Sequence, residues 1–391
     1  MDKVRCAIVG AGWWGTTAHV PAVVGHSQAE LVAVQHNIPR EARRIARDFN
    51  VEHACTTLEE VLAIDGIDAA IVSSVPCAHF EQAHALLSRG IHVLIEKPMT
   101  MTALEARRLV ELAERKGLHF LISAPWNYTP HSLEAQRLVR SGTLGQIKMI
   151  SVLMTNFTLG LYRGLSWERI FRSRPNLQNE AKPYLKPGRT AYSDPSLSGG
   201  GHSYCQVPHC AGYIAYLTGR KPAEVFARFD NGGTEVDVYD AINLKLDDDT
   251  LVSLSTHGAT MLTERHYEVR IYGTRGMVFQ ELWKGTMEYH DSDFNIKKYQ
   301  DLAEEDIYPF QEPARNLIDC VRGARPNVSP AVYGSTAMDV IDAAVRSARS
   351  GKNIVLDRAG AKRKATSVAR SKTARSAGRN GAKATSGRRA R

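Results

Sequence analysis

Lys3-Val4-Arg5-Cys6-Ala7-Ile8-Val9-Gly10-Ala11-Gly12-Trp13-Trp14-Gly15 opens the chain, and its reading decides the fold. Residues 3–9 read as a short buried strand, and G-x-G-x-x-G follows at a strand-to-helix turn. In that setting the first glycine permits the tight turn. The second lets the backbone approach a pyrophosphate, the third lets the helix pack on the strand, and the helix N-terminus faces the anion. Gly10, Gly12 and Gly15 are therefore candidate dinucleotide contacts.

Outward from this stretch, strand and helix patterns alternate. Strands are expected at residues 4–9, 31–35, 69–74, 92–96 and 119–123, and helices at 15–24, 40–49, 58–63, 78–88 and 103–115. Alternation of this kind predicts a doubly wound parallel sheet with right-handed crossovers, an α/β domain over residues 1–124. Arg89-Gly90 and Lys116-Gly117 read as helix ends. After Pro125 the pattern changes to longer runs at 148–157, 224–229, 239–245, 250–256, 268–272 and 277–281. Their alternation predicts a mostly antiparallel sheet with one wet face, in a second domain over 125–357. Asp247-Asp248-Asp249 and residues 273–276 read as hairpin turns, and helices are expected near 132–141, 312–322 and 337–350. The polar stretch 173–198 carries four prolines and is too long for a plain connector, so a functional loop or a cover over the site is expected.

The net charge of +9 misleads as to partners. Twelve Lys or Arg and no acid lie from Arg358 to the end, which leaves −3 for the rest. Residues 359–391 have no aromatic residue and one Val, so a solvated, disordered basic tail over 358–391 is expected. Without aromatics or a binding fold, specific nucleic-acid recognition is not expected. The six cysteines form no CxxC pair, no leader pattern opens the chain, and no apolar run reaches membrane-spanning length. A cytoplasmic protein without disulfides and without membrane contact is the expectation.

Several segments resemble the glucose–fructose oxidoreductase, inositol dehydrogenase and rhizopine-catabolism (Gfo/Idh/MocA) family. They are Gly10 to Gly15, Pro76-x-x-His79, His92-Val93-Leu94-Ile95-Glu96-Lys97-Pro98, Gly142-x-x-Gly145-Gln146-Ile147, Gly199-Gly200-Gly201 with His209, and Arg270-Ile271-Tyr272-Gly273-Thr274-x-Gly276. The resemblance implies a Rossmann domain followed by an α/β domain with a large open sheet, often the contact between subunits of a homo-oligomer. It also implies oxidation or reduction of a secondary alcohol on a sugar, cyclitol or related polyol with NAD or NADP. Two rivals stay open: a glycosidase or lyase that uses NAD transiently on the same fold, and a non-catalytic dinucleotide- or sugar-binding protein.

Lys97 ends a strand of the parallel sheet, the edge where open α/β folds bind ligands. An ammonium there can hydrogen-bond a substrate hydroxyl and favour its alkoxide, and a cationic nicotinamide nearby helps it release a proton. Pro98 would aim it, and the family often holds this bond cis. The family's form of the Gly199 motif has an Asp and a His four residues apart on one helix face; here Cys205 stands at the Asp position and His209 keeps the other. A thiol cannot hold an imidazole's charge as a carboxylate does. His209 is expected to be the base or proton relay with Lys97 as its partner, working alone or with a carboxylate from elsewhere such as Asp194. A zinc reading competes, because His202, Cys205 and His209 fall at i, i+3 and i+7. Three ligands on one helix do not readily close a tetrahedron and Pro208 disturbs the geometry, so no metal is expected.

Cofactor choice is read from the end of the second strand, where an acid would bind the ribose diol. His36 and Asn37 stand there, Glu30 lies at the wrong end, and Arg40, Arg43 and Arg44 follow. An arginine can hold a 2′-phosphate, so the expectation leans to NADP over NAD. Trp13 and Trp14 are expected to pack one ring toward the cofactor and one in the core. Pro76, His79 and Glu96 match family positions near the cofactor. Asn127 and Tyr128, after Trp126, are expected to reach substrate hydroxyls, with Tyr204 and Cys205 beside them. Tyr184, Tyr192 and Asp194 are further polar candidates that the sequence does not place.

Overall fold

The computed structural model describes residues 3–171, 183–261 and 265–356. The expected basic tail, 358–391, lies outside the described residues, as does part of the 173–198 stretch.

Six strands form the first sheet: β1 (Val4–Val9), β2 (Ala29–Gln35), β3 (His53–Cys55), β4 (Ala69–Val72), β5 (His92–Ile95) and β6 (Phe120–Ile122), in the order β3-β2-β1-β4-β5-β6. The pairs β1/β2, β1/β4, β2/β3, β4/β5 and β5/β6 are all parallel. The strand order reverses at β1, so the crevice of this sheet opens where β1 and β4 part, beyond their carboxyl ends. The central strands are buried along nearly their whole length because helices cover both faces. The helix Ala103–Lys116 shows how local sequence sets these elements. Thr102 and Glu105 form a reciprocal capping box, and Gly117 ends the helix at φ 65°.

The second sheet contains β7 (Ile147–Thr155), β8 (Pro222–Asp230), β9 (Tyr239–Leu246), β10 (Leu251–His257), β11 (His266–Gly273), β12 (Gly276–Glu281), β13 (Thr286–Asp291) and β14 (Ile296–Lys298). They run in the order β14-β13-β12-β11-β7-β10-β9-β8, antiparallel except for β7 with β10. Burial alternates along β9 and β10, the mark of a sheet with one covered face. The covered face packs on the helices Val207–Thr218 and Ala331–Ser350, and the latter also touches the helix Ala103–Lys116 of the parallel layer. The two layers are stitched together where Ile122 N–H donates to the Ser329 carbonyl at 3.0 Å. Residues up to Ile354 belong to one compact unit. Among the described residues no helix is long and apolar enough to cross a membrane.

Three local expectations are corrected. The first helix is not uniform: Gly15–His19 is a π turn, and only Val20–Val24 is α-helical. The last helix begins at Ala331, six residues early. Gly334 lies inside it because a Cβ there would meet Ile122 at 2.9 Å, so the glycine serves close packing rather than ending the helix. The Gly199–His209 stretch is not one helix. It breaks into His202–Cys205 and Val207–Thr218 at Gln206 (φ −120°), because Pro208 carries no N–H and can only sit at a helix start. Cys205 and His209 thus do not share a continuous helix face.

Candidate active site

The glycine turn is fixed from below and open above. Gly10 sits at φ 80°, and a Cβ there would lie 2.4 Å from the Ser74 backbone. A Cβ on Gly15 would meet Ser73 Oγ at 2.7 Å, whereas at Gly12 nothing comes nearer than 4.0 Å. Gln35 carries the turn: its Oε1 accepts from Gly10 N–H at 2.9 Å, and its Nε2 donates to Thr56 O at 2.9 Å. Ser73 Oγ donates to Gly10 O. The clear space over Gly12, at the head of a helix whose first N–H groups have no intrahelical partner, fits a dinucleotide pyrophosphate.

Glu96 and Lys97, just past the end of β5, make different contacts. The Glu96 carboxylate is buried; its Oε1 accepts from Trp14 Nε1–H at 3.0 Å and meets His19 Nε2 at 2.9 Å, while its Oε2 accepts from Lys97 N–H at 3.1 Å. The π turn brings His19 to this contact. Burial opposes the charge, but the His19 bond and charge and the Lys97 charge prevail and hold Glu96 down at about 2. The Lys97–Pro98 peptide is cis. His79, at the start of the helix Pro76–Ser88, is buried, with Nδ1 at 2.9 Å from Pro98 O and Nε2 at 3.1 Å from Ser74 O, so it straps that turn to the end of β4. Burial lowers its pKa.

Lys97 crosses to the second half of the chain, where its Nζ donates to the Cys205 carbonyl at 3.0 Å. Lys97, Asn127 and His209 line one small cavity. His209 packs edge-on against Trp126, with ring centres 5.1 Å apart, and Tyr267 OH donates to its carbonyl. Burial, then the Lys97 charge, pushes the His209 pKa well below the usual histidine range. The Cys205 side chain sits in an apolar cluster with Tyr162, Val236 and Val238.

The three glycines have packing reasons. A Cβ on Gly199 or Gly200 would strike the Tyr204 ring, and one on Gly201 would lie 2.0 Å from the Asp237 carbonyl. The Asp237 carboxylate accepts from Gly201 N–H, Ser203 N–H and Ser203 Oγ, fixing the turn that presents the Cys205 carbonyl to Lys97.

Other expected residues are placed as follows. Trp13 meets Trp167 and Tyr192, and Trp14 meets Tyr308 and Phe310; both rings are half-buried, and neither belongs to the parallel-sheet core. Asn127 Nδ2 donates to Ser329 Oγ at 3.0 Å. The Tyr128 hydroxyl donates to Asn316, and the Tyr204 hydroxyl to the Met101 carbonyl, so both phenols are committed to the protein and stand outside the Lys97 cavity. Asp194 does not stand in for the missing acid: its carboxylate caps the short helix Pro195–Ser198 through Ser196 N–H and Oγ. Tyr184 turns away to Asp48 and lies under the Arg44 guanidinium. His36 Nδ1 accepts from Ile38 N–H. Arg40 is 85% exposed and pairs with Glu41 at 2.9 Å, whereas Arg44 is occupied by Glu41, Asp48 and Tyr184. The His202, Cys205 and His209 donor atoms do not group; among the described residues the one set of close metal-type donors is His266, Glu268 and Glu281, and Arg270 already pairs with Glu268.

Sequence reasoning missed His19, Gln35, Asp237 and Tyr308. His19 lies four residues after Gly15, one helical turn on, and that spacing was its available signal. Gln35 is the last residue of its strand and was passed over as uncharged. Asp237 and Tyr308 lie in loops with no motif around them.

Comparison with known proteins bears on the family and the fold. A family model described as "Oxidoreductase family, NAD-binding Rossmann fold" matches residues 4–123, and one described as "GFO/IDH/MocA C-terminal domain" matches residues 132–279. The chain is 32% identical over 150 residues to an uncharacterized oxidoreductase of Synechocystis sp., covering 38% of this chain and 40% of that protein. It is 31% identical over 153 residues to the dTDP-3,4-didehydro-2,6-dideoxy-alpha-D-glucose 3-reductase of Streptomyces antibioticus, covering 39% and 46%. The alignments thus span less than half the length of these curated relatives. A solved levoglucosan dehydrogenase, in complex with NADH and levoglucosan, shares the fold with a TM-score of 0.73 at 16% identity, covering 91% of this chain and 100% of that one. With consecutive N-terminal and C-terminal models of one family laid along both of its sheets, this chain belongs to the Gfo/Idh/MocA oxidoreductase family.

Proposed function

We propose that the chain is an NAD(P)-dependent dehydrogenase or reductase that moves a hydride between the nicotinamide and a secondary alcohol or ketone of a sugar, cyclitol or related polyol. One observation carries the reading: Lys97 and His209, from different halves of the chain, line the same cavity, with Asn127 beside them. The open cradle at Gly12 supports a dinucleotide next to that cavity. Bound NAD(P) supplies the hydride acceptor or donor. Lys97 has one donor on the Cys205 carbonyl and two left for a substrate oxygen, so it stabilises the alkoxide as the hydride departs. His209 is kept neutral and is therefore the group ready to take the hydroxyl proton. Asn127 offers its carboxamide oxygen, and the half-buried aromatic rings of Trp13 and Tyr308 suit the C–H face of a sugar ring. The sugar substrates in the names of the reductase and the levoglucosan dehydrogenase are in keeping with this class.

We read the cofactor as NADP, with NAD as its competitor. Gln35 is taken up by the glycine turn, so β2 ends without a carboxylate for a ribose diol, and Arg40 is exposed beside it. The open face of the second sheet exposes Met149, Leu153, Tyr239 and Leu251, which supports a homo-oligomer formed through that face. A panel of sugars and cyclitols, run with both cofactors and followed at the reduced-nicotinamide absorbance band, tests the activity. Reduction of one or the other cofactor by a polyol is expected; failure of both cofactors to bind would defeat the proposal.

A further inference from the structure

We infer that Glu96 is the resident anion of this site, the counter-charge for Lys97 and for the cationic ring of an oxidised nicotinamide. The inference rests on the nicotinamide-dependent reading above. Lys97 meets a neutral carbonyl at its Nζ and has no ion pair among the described residues. A partly buried ammonium next to a cationic ring needs a negative charge close by, and Cys205 does not offer one. Glu96 is the preceding residue, buried at 6% exposure, with its carboxylate gripped by Trp14, His19 and the Lys97 N–H. His19 is fully buried and among the described residues its Nδ1 has no hydrogen-bond partner, so the Glu96 carboxylate is the polar contact its ring makes there.

The charge of Glu96 is felt across the site. Among the described residues its charge bears on His79, His209, Tyr192 and Tyr308, and His19 and Lys97 bear on it in turn. They come from the first helix, the Pro76–Ser88 helix, the end of β5, the second-half helix and two loops, and none is a carboxylic acid. In a region drained of water a fixed charge acts at such range without contact, and it costs no reorganisation when the ring changes charge. Glu96 touches no reacting atom, so it is a positioning and electrostatic residue rather than a catalytic one.

The test is binding, not turnover. NAD+ and NADH, or NADP+ and NADPH where the wild type binds only that pair, are titrated separately against the quenching of tryptophan fluorescence, with thermal unfolding as the control for fold. Glu96→Gln keeps the shape and removes the charge; NAD+ is expected to weaken roughly tenfold more than NADH. Equal weakening of both redox forms in a folded variant would overturn the inference. If Glu96→Gln fails to fold, His19→Leu decides. It removes the His19 bond that holds the carboxylate down, so the Glu96 pKa rises and its charge is lost at a higher pH than in the wild type. The preference for NAD+ should then fall as pH drops, while it stays level in the wild type; a level ratio in His19→Leu overturns the inference. A wild-type chain that binds none of NAD+, NADH, NADP+ and NADPH defeats the functional reading itself, and this inference with it.

Discussion

Lys97 Nζ donates to the backbone carbonyl of Cys205 at 3.0 Å, joining residues 108 positions apart and tying the edge of the parallel sheet to the second half of the chain. A carbonyl orients an ammonium without neutralising it. Replacing Lys97 by Ala removes both the orienting bond and the donor for the substrate oxygen. Turnover is expected to fall roughly a hundredfold or more while cofactor still binds. Steady-state rates beside a cofactor titration check this, and wild-type turnover in the variant would remove Lys97 from the chemistry.

Gly10 and Gly12 are two residues apart and should respond oppositely to the same change. Gly10→Ala forces a Cβ to 2.4 Å from the Ser74 backbone at φ 80°, so the parallel sheet cannot close on the turn and a loss of roughly 3 kcal/mol or more is expected. Gly12→Ala meets nothing within the protein, so stability should stay within about 1 kcal/mol. The methyl group instead fills the cradle, and cofactor affinity should drop roughly tenfold or more. Chemical denaturation and cofactor titration separate the two effects.

Arg40 stands exposed beyond β2 and holds Glu41. Arg40→Ser should weaken NADP+ by roughly tenfold and leave NAD+ nearly unchanged, because the lost guanidinium matters to a phosphate far more than to a diol. Dissociation constants measured for both cofactors decide the matter. Parallel losses for the two would point to a structural part for the Arg40–Glu41 pair.

His202 is fully buried and its pKa is lowered to about 3, first by burial and then by the charges of His257 and Lys97. Its folded pKa lies below the unfolded value near 6.5, so the unfolded chain binds the proton first as pH falls. Stability from this group is therefore complete above pH 7 and declines from about pH 6.5 toward 3. Between pH 7 and 5 the loss should be roughly 2 kcal/mol. Denaturant midpoints across that range test it in wild type and His202→Asn, whose slope should be smaller by the same amount.

On the second sheet, Leu153 is 37% exposed between the buried Val152 and Met154. A charge there cannot disturb the covered face. Leu153→Glu should leave thermal stability of the protomer within about 1 kcal/mol yet shift the chain toward monomer. Sedimentation velocity at several concentrations reads the shift, and an unchanged assembly would exclude this face as the contact.

Much of this molecule is written locally. The β1 run with its three glycines, the β5 run ending in Glu96-Lys97-Pro98, and the even alternation along β9 and β10 each encode an element within a few residues. Periodicity and close-approach glycines depend on neighbours in the chain, so they can be read before any contact is known. Misreadings came where a remote contact set the local outcome. The last helix was expected from residue 337, yet it begins at Ala331 with Gly334 packed on Ile122, and the Gly199–His209 stretch looked like one helix although Pro208 divides it.

By itself, the sequence determined a nucleotide-binding parallel sheet, an antiparallel sheet after it, and Lys97 and His209 as the groups able to handle a proton. Only the tertiary structure decided that these two share a cavity, that Glu96 is held by Trp14 and His19, and that Asp237 rather than Asp194 shapes the turn at Gly201. The physical reason is separation along the chain. His19 and Glu96 are 77 residues apart, and no spacing rule connects side chains that meet only once the first helix has packed against the parallel sheet.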